Sequence, residues 1–186
     1  YYGSVYATGT ETGVELDLGA DYVFSPNFQV GALLEFMGKT PATVTYTDVT
    51  YDDTVDQWNE YVLGGALASN VIFPVSNGIN FIGHGEAGFY TLVGSAVDET
   101  SVYYSNGTYN LNSSEAGGAI SAGLEFLMDK KKSWALDVEL GYRFLSFSSV
   151  TVSTAGYPPH TLENTGGGDA NINFSGPRLS ATARLF

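Results

Sequence analysis

Apolar side chains occupy every second position through several long segments of this chain, and the positions between them never include a lysine. In residues 14–24 the even-numbered positions are apolar, and the same alternation recurs in residues 134–144. Strict period-two alternation over about ten residues is typical of a β-strand whose two faces meet different surroundings. The pattern therefore predicts an all-β protein and leaves open which face meets water.

The connections between the predicted strands alternate between tight turns and long polar loops. The predicted strands are residues 1–8, 12–24, 28–38, 58–73, 78–92, 116–128, 134–147 and 170–186. The tight turns are residues 25–27, 74–77 and 129–133, and the long loops are residues 39–57, 93–115 and 149–169. Only an up-and-down antiparallel order sends all tight turns to one end and all long loops to the other. We therefore expect one domain, residues 1–186, built as an eight-stranded antiparallel barrel.

The choice of polar residues indicates which face of this barrel is outside. A soluble lipocalin-like carrier alternates with its apolar face inward, and a membrane barrel alternates the other way round. All four lysines lie in connections, whereas all three arginines lie on predicted strands. A water-facing surface normally mixes Lys with Glu and Asp, while Arg and carboxylates interleaved with Gly and Ala suit a crowded interior. The polar face is therefore predicted to be the lumen.

Aromatic residues gather at both ends of the apolar face, as a membrane barrel requires at its two interfaces. Those near the tight turns are Tyr22, Phe24, Phe28, Phe73 and Trp134, and those toward the loops are Tyr61, Phe89, Tyr142 and Phe144. No stretch of eighteen apolar residues exists that could form a membrane-spanning helix. The pattern favours a transmembrane β-barrel.

Composition excludes some functions. The chain has 7 Lys and Arg against 20 Asp and Glu, which argues against a nucleic-acid partner because phosphate binding needs a basic surface. It contains no cysteine, so it has neither disulfides nor thiolate metal ligands. It begins at Tyr1 without an initiator methionine, so that either a signal peptide has been removed or the sequence has been trimmed.

Three segments resemble a known group. Gly-Ala-Asp-Tyr-Val-Phe-Ser-Pro-Asn-Phe at 19–28 resembles the strand–turn–strand of small bacterial outer-membrane β-barrels, the group that includes the OmpA membrane domain, OmpX/Ail and OmpW. Glu-Leu-Gly-Tyr-Arg-Phe at 139–144 resembles their penultimate strand, and Phe-Ser-Gly at 174–176 with the final Leu-Phe resembles their last strand. In that group the terminal Phe faces lipid. Here Phe186 is two residues from Arg184, so the alternation predicts that it lies on the polar face of the last strand.

The resemblance implies a fold and a location. It implies a barrel in the outer membrane of a Gram-negative cell envelope, with short periplasmic turns and long external loops. The partners it implies are the lipid bilayer and lipopolysaccharide. It implies no activity, because the group is functionally diverse.

The predicted lumen is crowded with charge. Eight strands leave an interior that side chains just fill, so we expect no open pore. The predicted polar network consists of Glu15, Asp17, Asp21, Glu35, Glu60, His84, Glu86, Glu125, Asp137, Glu139, Arg143, Arg178 and Arg184. Because the nine carboxylates outnumber the three arginines, we expect several of them to share protons or bind cations. A network that only stabilises the barrel is favoured over a proton or cation path.

Catalytic and cofactor chemistry has little support in the sequence. His84 and Glu86 lie two apart on one strand, so an acid–base pair is possible. The barrel lipid A deacylases have a serine after their histidine, and Gly85 and Glu86 stand there instead. The aspartates of loop 39–57 lack the glycine-punctuated spacing of a calcium loop. We predict no enzymatic activity, no cofactor and no metal site.

The loops are the better candidates for function. Tyrosines among Ser, Gly and Asn bring large contact area at low entropic cost. The recognition candidates are Tyr46, Tyr51, Tyr103, Tyr104 and Tyr109. We expect a structural or adhesive role, with contacts made by loops 39–57, 93–115 and 149–169. One alternative is a membrane-anchoring subunit of a larger envelope complex, in which a protein partner would bind the external loops or another part of the chain. The other is a soluble lipocalin-like carrier.

Overall fold

Antiparallel β-strands make up almost all of the described structure, which is a computed structural model. It describes residues 3–7, 13–39, 44–48, 52–55, 57–97, 108–128, 134–154, 158–161 and 171–185. The strands are Gly3–Ala7 (β1), Gly13–Ser25 (β2), Phe28–Lys39 (β3), Val44–Asp48 (β4), Asp52–Val55 (β5), Gln57–Ser76 (β6), Ile79–Val97 (β7), Thr108–Leu127 (β8), Trp134–Phe144 (β9), Ser146–Phe147 (β10), Thr151–Thr154 (β11), His160–Thr161 (β12), Ile172–Asn173 (β13) and Gly176–Leu185 (β14). Nowhere in these ranges is there a helix long and apolar enough to cross a membrane.

Seven long strands form one continuous antiparallel sheet in the order β2-β3-β6-β7-β8-β9-β14. Each strand pairs with the next long strand along the chain, which confirms the predicted up-and-down order. The β6–β7 turn is Asn77-Gly78, with Gly78 at a φ of 86°. Asn-Gly is the strongest short signal for a two-residue hairpin, because such turns need positive φ. The predicted turn at 74–77 was therefore placed too early, since β6 continues through Pro74 to Ser76.

Parts of all three predicted loops are strands. β7 extends to Val97 and β8 begins at Thr108, inside the predicted loop 93–115. The predicted loop 39–57 contains β4 and β5, and the predicted loop 149–169 contains β11 and β12. β11 pairs with the outer part of β8, which places Leu111 and Val152 in register, and both side chains are buried. Polar Ser, Thr and Asn hid these strands from sequence reasoning, although backbone pairing continues through them.

The sheet is not closed into a barrel in the described part of the chain. β2 pairs only with β3, and β14 pairs only with β9. The predicted first strand, residues 1–8, exists as β1, but it pairs with β4 in a separate three-stranded sheet in the order β1-β4-β5. The prediction of eight strands in one closed sheet was therefore wrong for this arrangement, because β4 takes the pairing that β2 was expected to provide.

The two faces of the sheet are inverted relative to an ordinary soluble protein. The outward side chains of Leu18, Leu67 and Phe89 are 74%, 70% and 77% exposed. On the inner face, Glu125 and Asp137 are 2% and 0% exposed. Period-two alternation explains the separation, because successive side chains point to opposite faces. The charged parity therefore faces inward and the apolar parity faces outward.

An apolar cluster, here called the apolar cap, fills the inner face at the end away from the tight turns. Its buried members are Met37, Val62, Ala66, Tyr90, Leu92, Leu111, Leu145, Phe147, Val150, Val152 and Ile172, with Leu33 and Phe174 packed against them. The short β10–β13 pair supplies Phe147 and Ile172. The rings of Phe147 and Phe174 meet edge to face at 5.9 Å. The interior is therefore layered, with the cap above the charged side chains.

Tyr90 lies at the boundary between these two layers. It is fully buried, and it pairs with Gly64 across the β6–β7 ladder. A Cβ atom at position 64 would lie 2.2 Å from Tyr90 Cδ1, so the ring occupies space that only glycine leaves free. On the side of the charged layer, Arg143 Cζ lies 5.6 Å from the centre of the ring, within the range of a cation–π interaction.

We expect Gly64→Ala to destabilise the fold by about 1–3 kcal/mol, because the buried ring of Tyr90 must move to admit the methyl group. The matched control is Gly65→Ala, on the exposed face, where the nearest atom to an added Cβ is Leu33 O at 4.0 Å. Urea unfolding of both variants measures the difference. Equal midpoints for the two variants would contradict the proposed packing of Tyr90 on Gly64.

Candidate functional site

The charged inner face is organised around three arginines, of which Arg143 on β9 is the most buried. Its Nη2 atom lies 2.5 Å from Glu15 Oε1, and 3.0 Å from both Glu35 Oε1 and Glu86 Oε1. These acids belong to β2, β3 and β7. Arg143 Nε and Nη1 have no hydrogen-bond partner among the described residues. One guanidinium therefore joins three strands that are not adjacent to its own.

Arg178 on β14 shares two of these acids. Its Nη2 atom lies 2.9 Å from Glu15 Oε1 and 2.6 Å from Asp17 Oδ2, and its Nη1 atom lies 3.2 Å from Glu86 Oε2. The two arginines and the four acids thus form one connected group. A guanidinium with several donors in a fixed plane suits this sharing, which a lysine could not reproduce.

Arg184 forms a second group nearer the tight turns. Its Nε atom lies 2.7 Å from Asp137 Oδ2, and its Nη1 atom donates to Gln29 Oε1 at 2.8 Å. The same Nη1 atom lies 4.0 Å from Asp21 and from Glu125. Asp137 is fully buried, so its pairing with Arg184 offsets a large cost of burying charge.

A hydrogen-bonded chain through His84 links the two arginine groups. Asn70 Nδ2 donates to Asp21 Oδ2 at 3.3 Å, so Asn70 Oδ1 is the atom that faces His84 Nδ1, at 2.7 Å. On the other side of the ring, His84 Nε2 lies 3.0 Å from Glu86 Oε2. The chain therefore ends at an acid that both Arg143 and Arg178 contact.

The structure places the thirteen predicted network residues on the inner parity, and most of them meet. Glu125 accepts from Asn80 Nδ2 at 2.5 Å, and Glu139 accepts from Ser121 Oγ at 2.5 Å. Glu60 is half-buried on β6, opposite Gly94, toward the loop end of the sheet. Sequence reasoning missed four uncharged members, namely Gln29, Asn70, Asn80 and Ser121. All four have the same parity as the charged residues of their strands, which is a signal that could have found them.

The predicted recognition tyrosines cannot be assigned to this site. Tyr51, Tyr103 and Tyr104 lie outside the described residues. Tyr46 and Tyr109 lie on β4 and β8, where only the backbone is described. They remain predictions from the sequence.

The geometry does not assemble a hydrolase-like pair. Ser121 lies opposite His84 in the β7–β8 ladder, but its hydroxyl donates to Glu139. Both nitrogens of His84 are taken by Asn70 and Glu86. Nucleophilic catalysis needs a hydrogen bond from the nucleophile to a base, and among the described residues these two side chains do not provide it. The arrangement is suited to holding strands together.

Three carboxylates approach the spacing of a cation site. One oxygen each of Glu15, Asp17 and Glu35 lies within 4.8 Å of the other two. Arg143 and Arg178 contact the same three carboxylates. Guanidinium groups thus already provide the positive charge at this cluster.

Comparisons of the chain with protein-family models, with curated proteins and with solved structures find no match. The resemblance to the OmpA, OmpX/Ail and OmpW group therefore stays a prediction from the quoted residues.

We expect Arg143→Met to lower the free energy of unfolding by about 3–5 kcal/mol, because the buried Glu35 loses its arginine while Glu15 and Glu86 keep only Arg178. Chemical unfolding of the variant and of the unchanged protein measures the loss. Glu35→Gln is the companion variant, since it removes one of the charges that Arg143 neutralises. The double variant should lose less than the sum of the two single losses. Additive losses would show that the two side chains act independently.

Proposed function

We propose that this chain is an outer-membrane β-barrel with a structural or adhesive role, whose external loops 39–57, 93–115 and 149–169 make its contacts. The observation that carries the proposal is the inverted distribution of side chains, with carboxylates buried inside and leucines exposed outside. A lipocalin-like carrier needs the opposite distribution, because its apolar parity faces the interior.

The exposed apolar side chains cover the outer face of the sheet and are not scattered singly. Those of outer parity above half exposure are Leu16, Leu18, Tyr22, Phe24, Leu34, Leu63, Leu67, Phe73, Val75, Phe89, Ile120, Leu140, Phe144 and Leu179. Soluble monomers rarely expose contiguous apolar patches above a few hundred Å². A hydrocarbon surround removes this cost, which supports a membrane location.

Aromatic rings border the aliphatic part of this outer face at both ends. Phe73 and Phe81 pack at 6.4 Å near the tight turns, and Tyr142 and Phe144 pack at 4.9 Å toward the loops. On β9, eleven residues run from Trp134 to Phe144, and a transmembrane strand needs about 9–11 residues. The spacing of the two aromatic groups therefore fits one bilayer.

The interior supports a structural role and not a conducting one. The apolar cap fills the loop end, and the arginine network fills the region below it. Side chains that fill a small barrel leave no aqueous channel.

The strands that extend beyond the aromatic rings support contacts outside the membrane. β7 and β8 continue past Phe89 as a paired ladder, in which Thr91 Oγ1 and Ser114 Oγ lie 3.0 Å apart. Asn112 and Ser114 are exposed on its outer face. A paired ladder fixes the positions of the two strands from which the connection between β7 and β8 leaves the sheet. A rigid scaffold of this kind favours recognition by the loop that it carries.

A second candidate function is a membrane-anchoring subunit of a larger envelope complex. The observation that favours it is the unpaired edges of β2 and β14, which could accept a strand from another chain.

We expect Leu67→Arg to destabilise the membrane-inserted protein by about 2–4 kcal/mol, because the charge would face hydrocarbon near the middle of the outer face. Asn112→Arg is the control, since this exposed residue lies beyond Phe89 in the β7–β8 ladder. Unfolding in vesicles and recovery in the membrane fraction measure both variants. The membrane proposal would be wrong if the unchanged protein is soluble without detergent and Leu67→Arg alters its stability no more than Asn112→Arg does.

We expect simultaneous Tyr→Ser changes at the five predicted recognition tyrosines to abolish binding by the external loops, because they remove contact area. The variant changes Tyr46, Tyr51, Tyr103, Tyr104 and Tyr109. A whole-cell adhesion assay against extracellular-matrix and epithelial surfaces measures binding. The control changes Thr47, Thr50, Ser101, Ser105 and Thr108 to Ala. Equal loss of binding in both variants would contradict a specific role for the tyrosines.

A further inference from the structure

The wall of the sheet continues beyond the aromatic rings at the loop end. One edge of β8 pairs with β9 as far as Gly118, opposite Phe144, and the same edge then pairs with β11 from Thr151 to Thr154. β12 adds to the other edge of β11, with Thr161 opposite Thr151. Beyond the rings the strands therefore follow the order β6-β7-β8-β11-β12.

The outer side of this wall bears uncharged polar side chains that stand side by side. These residues, here called the polar grid, share the outer parity of their strands and are exposed or half-exposed: Asn59, Ser95, Asn110, Thr151, Ser153 and Thr161. Ser95 lies opposite Asn59 on one side and Asn110 on the other. Ser153 continues this upper row beyond Asn110. The register therefore aligns amide and hydroxyl groups from four strands.

No charged side chain lies on the outer face of these strands. None of the five contains a lysine or an arginine, in a chain with 20 acids and 7 bases. Their acids all have the inner parity, namely Glu60, Glu86, Glu115 and Glu125. Phosphate groups are held mainly by Lys and Arg, which this face lacks. Amides and hydroxyls both donate and accept hydrogen bonds, as sugar hydroxyls do, so the face matches an uncharged, hydroxyl-rich ligand.

The polar grid directly borders the apolar outer face. Phe89 and Tyr61 lie at this border and are 77% and 46% exposed. A tyrosine ring has an apolar body and a polar tip, which suits a boundary between hydrocarbon and polar groups. Lipids whose acyl chains cover the apolar face therefore place their headgroups against the polar grid.

The height of the polar grid selects the kind of headgroup. From Phe89 to Ser95, β7 advances about 20 Å along the strand, which is about 15 Å along the membrane normal at the usual tilt of barrel strands. The headgroup layer of a bilayer is only about 5–8 Å thick on each side. A phospholipid headgroup therefore ends below the row of Ser95, whereas a headgroup made of several sugars reaches it.

We propose that the polar grid binds the uncharged sugar headgroups of glycolipids in the surrounding leaflet. The inference rests on the proposed membrane location, and it adds a partner that the wall of the sheet recognises without the loops. Hydrogen bonds from Asn, Ser and Thr side chains to sugar hydroxyls supply the selectivity, while acyl chains on the apolar face keep the headgroup close to the grid. Because no charge takes part, the binding is insensitive to salt and to chelation of divalent cations.

Lipid retention measures this selectivity. The protein is inserted into phosphatidylcholine vesicles that contain equal minor fractions of digalactosyl diacylglycerol, monogalactosyl diacylglycerol and phosphatidylglycerol, all with the same acyl chains. It is then extracted in a mild detergent, and the retained lipids are counted by native mass spectrometry. We expect retained digalactosyl lipid to exceed phosphatidylglycerol by about threefold, since each neutral hydrogen bond replaces one to water. It should also exceed the shorter monogalactosyl lipid, with no change at about 0.5 M salt or in EDTA.

Two variants assign the preference to the polar grid. The first removes the upper row by the changes Asn59→Ala, Ser95→Ala, Asn110→Ala and Ser153→Ala. The second is Thr151→Val with Thr161→Val, which keeps the β-branched shape that strands favour. Each should lower the digalactosyl preference by at least about half, because hydrogen-bonding groups are lost. The control is Ser25→Ala with Ser76→Ala, which removes exposed hydroxyls at the tight-turn end and should keep the preference.

Equal retention of the three lipids by inserted protein overturns the inference and leaves the membrane proposal intact. A preference for phosphatidylglycerol also overturns it, as does a sugar preference that both grid variants keep or that the control loses equally. Protein that stays soluble beside the vesicles overturns the membrane proposal, and the inference falls with it.

Discussion

The need to pair buried carboxylates dominates this structure. Acids from most of the long strands point to the inner face, and a buried charge without a partner is unstable. Only three arginines are available there, so each is shared among acids from several strands. Because Arg143 and Arg178 bind the same two glutamates, the network ties strands that backbone hydrogen bonds do not join. The sheet is therefore curled by its charges as well as by its backbone ladder.

The same alternation that buries these acids exposes the leucines. A strand cannot change one face independently, because a shift of one residue would move every side chain to the opposite face. The inner charge and the outer apolar surface are therefore two results of one pattern. This explains how a chain with more acids than bases can present an outer surface almost free of charge along the middle of its strands.

The alternation of apolar and polar residues made the long strands of the main sheet predictable. Segments that lack this alternation were not predicted as strands or as parts of the core. β2 and β3 were predicted to within a residue at each end, because their apolar positions alternate without interruption. The early part of β8 was missed because Asn and Ser there resemble a loop. The apolar cap was missed because its contributors at 147–152 and 172–174 lie in short, irregular segments. Parity identified the charged residues of the network, but the curvature of the sheet decides which arginine reaches which acid, and no local pattern encodes that curvature.

The apolar cap makes the two ends of the interior different, because it lies at the loop end and the arginine network lies nearer the tight turns. Tyr90 and the cap separate the arginine network from the loop end, and the most exposed acids of the network lie along β2. If the chain spans an outer membrane as proposed, with its tight turns in the periplasm, the apolar cap lies between the charged side chains and the external medium.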